Sequence, residues 1–258
     1  MVSASVTQVK LARRLNTKKF RTQTGEFLVE GAQCVREAVT HGDVVTVLAS
    51  DEAAGQYPEL VAGGYESLTE AQVRDLSDTV SPQGIFAVCR TPSAPLEEVL
   101  HNHAQLVVIC SQIRDPGNLG TVIRCADAFG ADGVILTQGS VDWTNPKTVR
   151  SSVGSIFHLP IVAGVSTKKA VDAAKAVGFT ILASDASGED LSEVGARGGF
   201  DHKVAWIFGN EAWGMPDDID LADRIVRIPM WGNAESLNLS TAAAICLFTS
   251  ATKQHPHR

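Results

Sequence analysis

Apolar residues in this chain gather into short runs separated by stretches of helical length, and that spacing predicts an α/β protein. In the first third, 9–20 carries Val9, Leu11, Leu15 and Phe20 among basic residues and reads as a short helix. A strand is expected over 27–31, then a helix over 32–40 with Cys34, Val35, Ala38 and Val39 facing inward. Residues 44–49 form a buried strand, 60–76 hold a strand or turn and a short helix, and 85–89 form another strand. From 106 the alternation becomes regular. Strands are expected at 106–110, 133–136, 158–162, 179–183, 204–208 and 224–228, with helices at 118–129, 147–157, 168–177 and 239–252. The run Leu106-Val107-Val108-Ile109-Cys110 is apolar at every position, as suits a parallel strand covered on both faces.

The two patterns meet at Thr91-Pro92-Ser93-Ala94-Pro95, where the two prolines rule out continuous helix or central strand. This places a small α/β domain at 1–92, a linker at about 91–104 and a parallel-sheet domain at 105–258. With 44% hydrophobic and 20% charged residues, 258 residues suffice for one large or two modest domains. No run reaches membrane-spanning length, and no apolar core follows the basic N-terminal residues, so neither a membrane span nor a secretory signal is expected. The cysteines Cys34, Cys89, Cys110, Cys125 and Cys246 are scattered without C-x-x-C spacing, which fits a reducing cytoplasm and gives no zinc site.

Charge changes the picture in one place. The net charge is −7, which excludes a generic nucleic-acid coat. Yet Lys10, Arg13, Arg14, Lys18, Lys19 and Arg21 all precede the first acidic residue, Glu26. Such a cluster is either a solvated helix face or a surface for RNA phosphates.

Parallel sheets bind ligands beyond the carboxyl ends of their strands, so the loops there carry the candidate chemistry. Polar, glycine-bearing loops follow three strands: one from Arg114 through Arg124, one from Gly209 to Pro216, and one from Ile228 to Ser240. The third opens a helix, and a helix start is either capped by Asn238 or Ser240 or offers its N–H groups to a ligand. Arg124, amid apolar neighbours, either reaches outward to water or holds a cation against a reacting oxygen. No G-x-G-x-x-G turn, Walker loop or G-x-S-x-G elbow is present. His101-Asn102-His103 lacks partner ligands for a metal, and Asp185, Glu189 and Asp190 read as a solvated acidic loop.

These loops closely resemble the motifs of the SpoU (TrmH-type) branch of the SPOUT RNA methyltransferases. The matching stretches are Asn118-Leu119-Gly120-Thr121-Val122-Ile123-Arg124; Phe208-Gly209-Asn210-Glu211-Ala212-Trp213-Gly214; and Ile228-Pro229-Met230 with Ser236-Leu237-Asn238-Leu239-Ser240 and Ala242. Phe27-Leu28-Val29-Glu30-Gly31 and Ser81-Pro82-Gln83-Gly84-Ile85 resemble that family's N-terminal, ribosomal-protein-like RNA-binding domain. The resemblance implies a parallel-sheet domain with a deep trefoil knot, a homodimer, and S-adenosyl-L-methionine held by Gly209, Asn210, Gly214, Ile228, Met230 and Leu237. It implies methylation of a ribose 2′-hydroxyl, in ribosomal RNA rather than tRNA because of the added N-terminal domain. Arg124, Asn118, Glu211, Ser236 and Asn238 would serve the reaction, with no metal. A tRNA methyltransferase, a small-molecule methyltransferase and a non-catalytic RNA-binding module of the same fold are the alternatives.

Overall fold

The computed structural model describes residues 2–210, 213–215 and 218–255. Contacts divide it into two units: residues up to 92 together with 142–158, and 93–141 together with 159 onward.

The first unit contains β1 (Val2–Ser3), α1 (Val6–Arg14), α2 (Lys18–Thr24), β2 (Glu26–Glu30), α3 (Ala32–His41), β3 (Val44–Ser50), α4 (Asp51–Gln56), β4 (Glu66–Leu68), α5 (Glu70–Leu76) and β5 (Ile85–Arg90). Its mixed sheet runs β1-β4-β3-β5-β2, with β5 antiparallel to both neighbours. The expected single helix over 9–20 is two. A Ser5–Gln8 capping box starts α1, the chain turns at 15–17, and α2 stops at Gly25, whose φ of 68° is left-handed. Leu15, Leu28, Leu48, Leu76 and Phe86 fill the core on one side of the sheet.

The segment 142–158 supplies α8 (Pro146–Ser152) and a 3₁₀ turn at Ser155–Phe157. The helix expected over 147–157 breaks because Val153 and Gly154 both take left-handed backbone, with φ of 52° and 96°. Arg21 anchors this segment. Its guanidinium donates to Asp142 Oδ2 at 2.7 and 3.1 Å, to Thr144 Oγ1 at 3.1 Å and to the Leu15 carbonyl at 2.8 Å. Arg21 is buried, so its expected place on an RNA-facing patch is corrected: its charge is spent inside the unit. Lys10, Arg13, Arg14, Lys18 and Lys19 are exposed, with Arg13 paired to Asp75 and Arg14 lying over the Phe20 ring.

The second unit contains α6 (Leu96–Val99), β6 (Leu106–Cys110), α7 (Pro116–Ala128), β7 (Gly133–Thr137), β8 (Ile161–Val165), α9 (Thr167–Ala176), β9 (Thr180–Asp190), α10 (Leu191–Ala196), β10 (Val204–Phe208), β11 (Arg224–Arg227) and α11 (Leu239–Gln254). The stretch expected as a linker thus carries a helical turn, with Val99 fully buried. The strand expected at 158–162 begins at Ile161 instead.

All six strands are parallel, in the order β11-β9-β10-β6-β7-β8. Chain order reverses between β6 and β10, which makes a switch point of the kind where α/β sheets bind ligands. Both faces are covered, which explains the unbroken apolar runs. On β10, Ala205 and Ile207 face α9's Ala170, Val171 and Ala174, while Trp206 stacks on Phe208 and donates through Nε1 to Ser250 of α11 at 2.9 Å. A fully buried Trp is worth about 3–5 kcal/mol against alanine, so β10 is held firmly where its loop begins.

Candidate functional site

Beyond the carboxyl ends of β9, β10 and β11 the second unit forms a cavity of about 470 Å³, within the usual range for a small-molecule site. Its floor starts at Phe208 and Gly209. A Cβ on Gly209 would fall 2.3 Å from Met215 Cγ and 2.7 Å from the Gly214 backbone, so only glycine lets these strands of chain meet. Asn210 and Gly214 exchange two backbone hydrogen bonds of 2.9 Å, which ties the ends of their loop together. Gly214 closes it with φ of 64°. The buried Asn210 amide donates to the Gln112 carbonyl at 2.8 Å and so joins this loop to the one after β6.

Polar groups enter from two helix starts. The helix expected at Asn118 begins two residues earlier, at Pro116, capped by Asp115, whose Oδ1 accepts from the Asn118 N–H at 2.8 Å. Asn238 caps α11: its Oδ1 accepts from the Ser240 N–H at 2.9 Å, the Thr241 N–H at 3.4 Å and the Ser240 hydroxyl at 2.6 Å. Backbone N–H groups only donate, so the capping atom must be the oxygen. The Asn238 amide nitrogen therefore turns to Asn118 Oδ1, 3.0 Å away. One asparagine thus holds the helix start and fixes the orientation of the other.

All six residues expected at the cofactor, Gly209, Asn210, Gly214, Ile228, Met230 and Leu237, line this cavity, as do Asn118, Ser236 and Asn238 from the expected reaction set. Arg124 does not line it. Six residues beyond Asn118 on α7, it lies about 120° further round the helix and is exposed. Glu211 lies outside the described residues.

One wall segment is not among the loops expected from the sequence. Ser184, Asp185 and Ala186 line the cavity, although Asp185 reads as part of a solvated acidic loop. They belong to β9, where the pairing with β11 jumps from Ile225↔Ala183 to Val226↔Glu189 and leaves 184–188 to bulge out of the ladder within the strand. Asp185 Oδ1 accepts from the Ser187 N–H at 2.9 Å and from its hydroxyl at 2.7 Å, which fixes the carboxylate. The strand expected over 179–183 ends just before them, so the rule that located the other loops reaches the polar Ser184-Asp185 too. Among the described residues Glu235 is the second lining carboxylate, and none of the described lining residues is a lysine or arginine. Behind the wall, burial pushes the Cys246 thiol up to about 12, against the opposing hydrogen bond to Ser184, so it stays a neutral packing group.

The arrangement combines apolar surface from Phe208, Ile228, Leu237, Leu239 and Ala242 with polar backbone and the carboxylates of Asp185 and Glu235. Chemically this suits a ligand that has a flat apolar part, hydrogen-bonding edges and positive charge.

Comparison with known proteins gives concordant results. The model of the SpoU rRNA Methylase family matches residues 105–248, and that of the MRM3-like substrate binding domain matches residues 7–87. The 23S rRNA (guanosine(2553)-2′-O)-methyltransferase RlmP of Bacillus subtilis is 37% identical over 95% of this chain and 96% of its own. The structure of the SpoU methyltransferase AviRb from Streptomyces viridochromogenes with AdoMet superposes with a TM-score of 0.85 at 29% identity, covering 98% of this chain and 100% of that one. An AdoMet-bound rRNA methyltransferase from Sinorhizobium meliloti gives 0.81 at 30% identity over 97% and 96%.

Proposed function

This chain belongs to the SpoU rRNA methylase family, and from that premise we propose that it methylates a ribose 2′-hydroxyl of ribosomal RNA, with S-adenosyl-L-methionine as donor. The observation that carries this reading is the cavity at the ends of β9, β10 and β11, whose described lining residues combine apolar walls with the carboxylates of Asp185 and Glu235 and include no lysine or arginine. A donor with a sulfonium and an ammonium fits that charge balance. Ile228 and Leu237 would hold its adenosyl part, Gly209 and Gly214 would admit it close to backbone, and Asp185 or Glu235 would face positive charge. When bound, the donor supplies an electrophilic methyl group.

The protein's own share is then to place the ribose oxygen in line and ease removal of its proton. Asn118 and Asn238, hydrogen-bonded to each other in the cavity wall, form a polar pair that would orient the ribose. Arg124 stays protonated at any working pH, so it serves as a stabiliser of developing oxyanion charge or a clamp on phosphate, not as a base. Its exposure outside the cavity supports a role completed when RNA or a second copy arrives. Glu211 is assigned to orient Arg124 or accept the proton. Ser236 holds the loop against the nucleotide.

The same reading includes a homodimer, a cytoplasmic location, a metal-independent transfer and a knotted C-terminus. In support of the knot, β11 lies at the sheet edge while the following α11 packs back against β10 and α7. In support of a dimer, Phe248 of α11 is 55% exposed beside Phe129. Among the described residues no helix is long and apolar enough to cross a membrane. The domain at 1–92 with its exposed lysines and arginines would dock RNA, and 105–258 would carry the chemistry.

Arg124→Ala tests the assignment. Methyl transfer to rRNA should fall by at least about a hundredfold, the usual cost of losing one oxyanion-stabilising donor, while donor affinity by calorimetry stays near wild type. Equal loss of both would make Arg124 a structural residue instead.

A further inference from the structure

Glu37, His41 and His158 form a second cluster of chemically able groups, in the first unit and outside the site described above. Glu37 and His41 sit four residues apart on α3, on one face of the helix. His158 follows the 3₁₀ turn at Ser155–Phe157. Its Nε2 is 3.1 Å from Glu37 Oε2, and His41 Nε2 is 3.9 Å from that same oxygen. The three donor atoms all lie within 4.8 Å of one another, and the two imidazoles meet edge to face with centroids 5.0 Å apart. Around a tetrahedral ion with bonds of about 2.0–2.1 Å, donors stand roughly 3.3 Å apart. Small side-chain rotations close the remaining gap.

Two further features build the cluster in. Gln33, one turn before Glu37, donates to its other oxygen, Oε1, at 2.6 Å, the outer hydrogen bond that fixes a ligating carboxylate. The backbone is also shaped for the approach. A Cβ on Gly154 would fall 2.3 Å from Glu37 Cγ, and one on Gly42 would fall 3.0 Å from the Phe157 ring, so glycine at both points lets 154–158 press onto α3. The Glu37 side chain is 19% exposed, and those of His158 and His41 are 30% and 49% exposed, which leaves one side open to water.

We propose that Glu37, His41 and His158 bind a zinc-type divalent ion, with water completing the coordination, and that this ion clamps 154–158 to α3. Two imidazoles and one carboxylate select borderline transition metals over magnesium or calcium, which prefer oxygen-only shells. The clamp joins positions more than a hundred residues apart in sequence and so stabilises the folded unit when loaded. It stands independently of the methyl-transfer reading.

The untagged full chain, stripped with chelator, is titrated with cobalt(II) followed by visible absorption, and with zinc followed by calorimetry. The proposal expects one equivalent bound, the intense ligand-field bands of four-coordinate cobalt, and a melting temperature raised by several degrees in zinc. Glu37→Gln, which keeps the side chain's size, and His158→Ala should each weaken binding by at least about tenfold and abolish the bands. His101→Ala/His103→Ala should leave both unchanged. If His158→Ala fails to fold by circular dichroism, Glu37→Gln alone decides. Absence of stoichiometric binding at micromolar metal overturns the proposal. So does unaltered binding in Glu37→Gln, or binding lost only in the His101/His103 variant.

Discussion

Replacing Arg21 by alanine separates two roles that the sequence leaves equivalent. If Arg21 belonged to an RNA-facing strip, its loss would weaken RNA binding and leave the fold alone. The geometry argues the reverse. The Arg21 side chain is 3% exposed and Asp142 is 18% exposed, and their closest atoms are 2.7 Å apart. The substitution removes four donated hydrogen bonds and strands the Asp142 carboxylate without its counter-ion. Breaking a largely buried pair by removing one partner costs about 3–5 kcal/mol, against less than about 0.5 kcal/mol for an exposed lysine such as Lys18. Chemical denaturation of the full chain measures this, with Lys18→Ala beside it as the exposed control. Burial works to raise the Asp142 pKa, yet hydrogen bonds from Thr144 and Arg21 and the Arg21 charge outweigh it and hold the carboxyl below its usual value of 3.8. A lowered folded-state pKa contributes stability above the unfolded value and loses it as pH falls through the folded one. The gap between wild type and Arg21→Ala should therefore be full at neutral pH and narrow below about pH 4. A cost under about 1 kcal/mol at pH 7, or a gap that is flat with pH, would show that the Arg21–Asp142 pair does not hold the unit together.

Further outcomes follow from the same geometry. Asn238→Asp keeps an oxygen to cap α11 but loses the donor to Asn118, so its melting temperature should stay near wild type while methyl transfer drops by about tenfold or more; Asn238→Ala should in addition lose about 1 kcal/mol in denaturation. Neutralising Lys10, Lys18 and Lys19 together should reduce the slope of log RNA affinity against log salt by roughly 2–3, at about 0.7–0.9 per phosphate contact, and a slope equal to wild type would return these lysines to plain solvated surface.

Much of the second unit was legible because periodicity reports burial directly. Leu106–Cys110 and Val204–Phe208 are apolar throughout, and both are strands with those bounds, covered on both faces. The cavity residues were legible as loops after strand ends, which fold topology turns into one site. What pattern alone could not show are partners distant in the chain. Arg21 looks like its basic neighbours until Asp142, 121 positions later, is brought against it. The bulge that carries Asp185 into the cavity wall arises from the register of β9 on β11, and neither strand's own sequence states that register. The start of α7 is readable from Asp115-Pro116, a cap followed by proline, whereas the expected start at Asn118 leaves Pro116 and Gly117 in the loop. Arg124 stands exposed on α7 and outside the cavity lining, a placement that its motif position does not state.

On this reading the cavity at the strand ends serves methyl transfer to a ribose of ribosomal RNA. Its most direct test incubates the purified chain and S-adenosyl-L-methionine with 23S rRNA from cells lacking the protein, then maps 2′-O-methylation nucleotide by nucleotide. A single new 2′-O-methyl group is expected, absent with Arg124→Ala. Methyl transfer to a base, or none to rRNA while the donor binds and tRNA is modified, would contradict it.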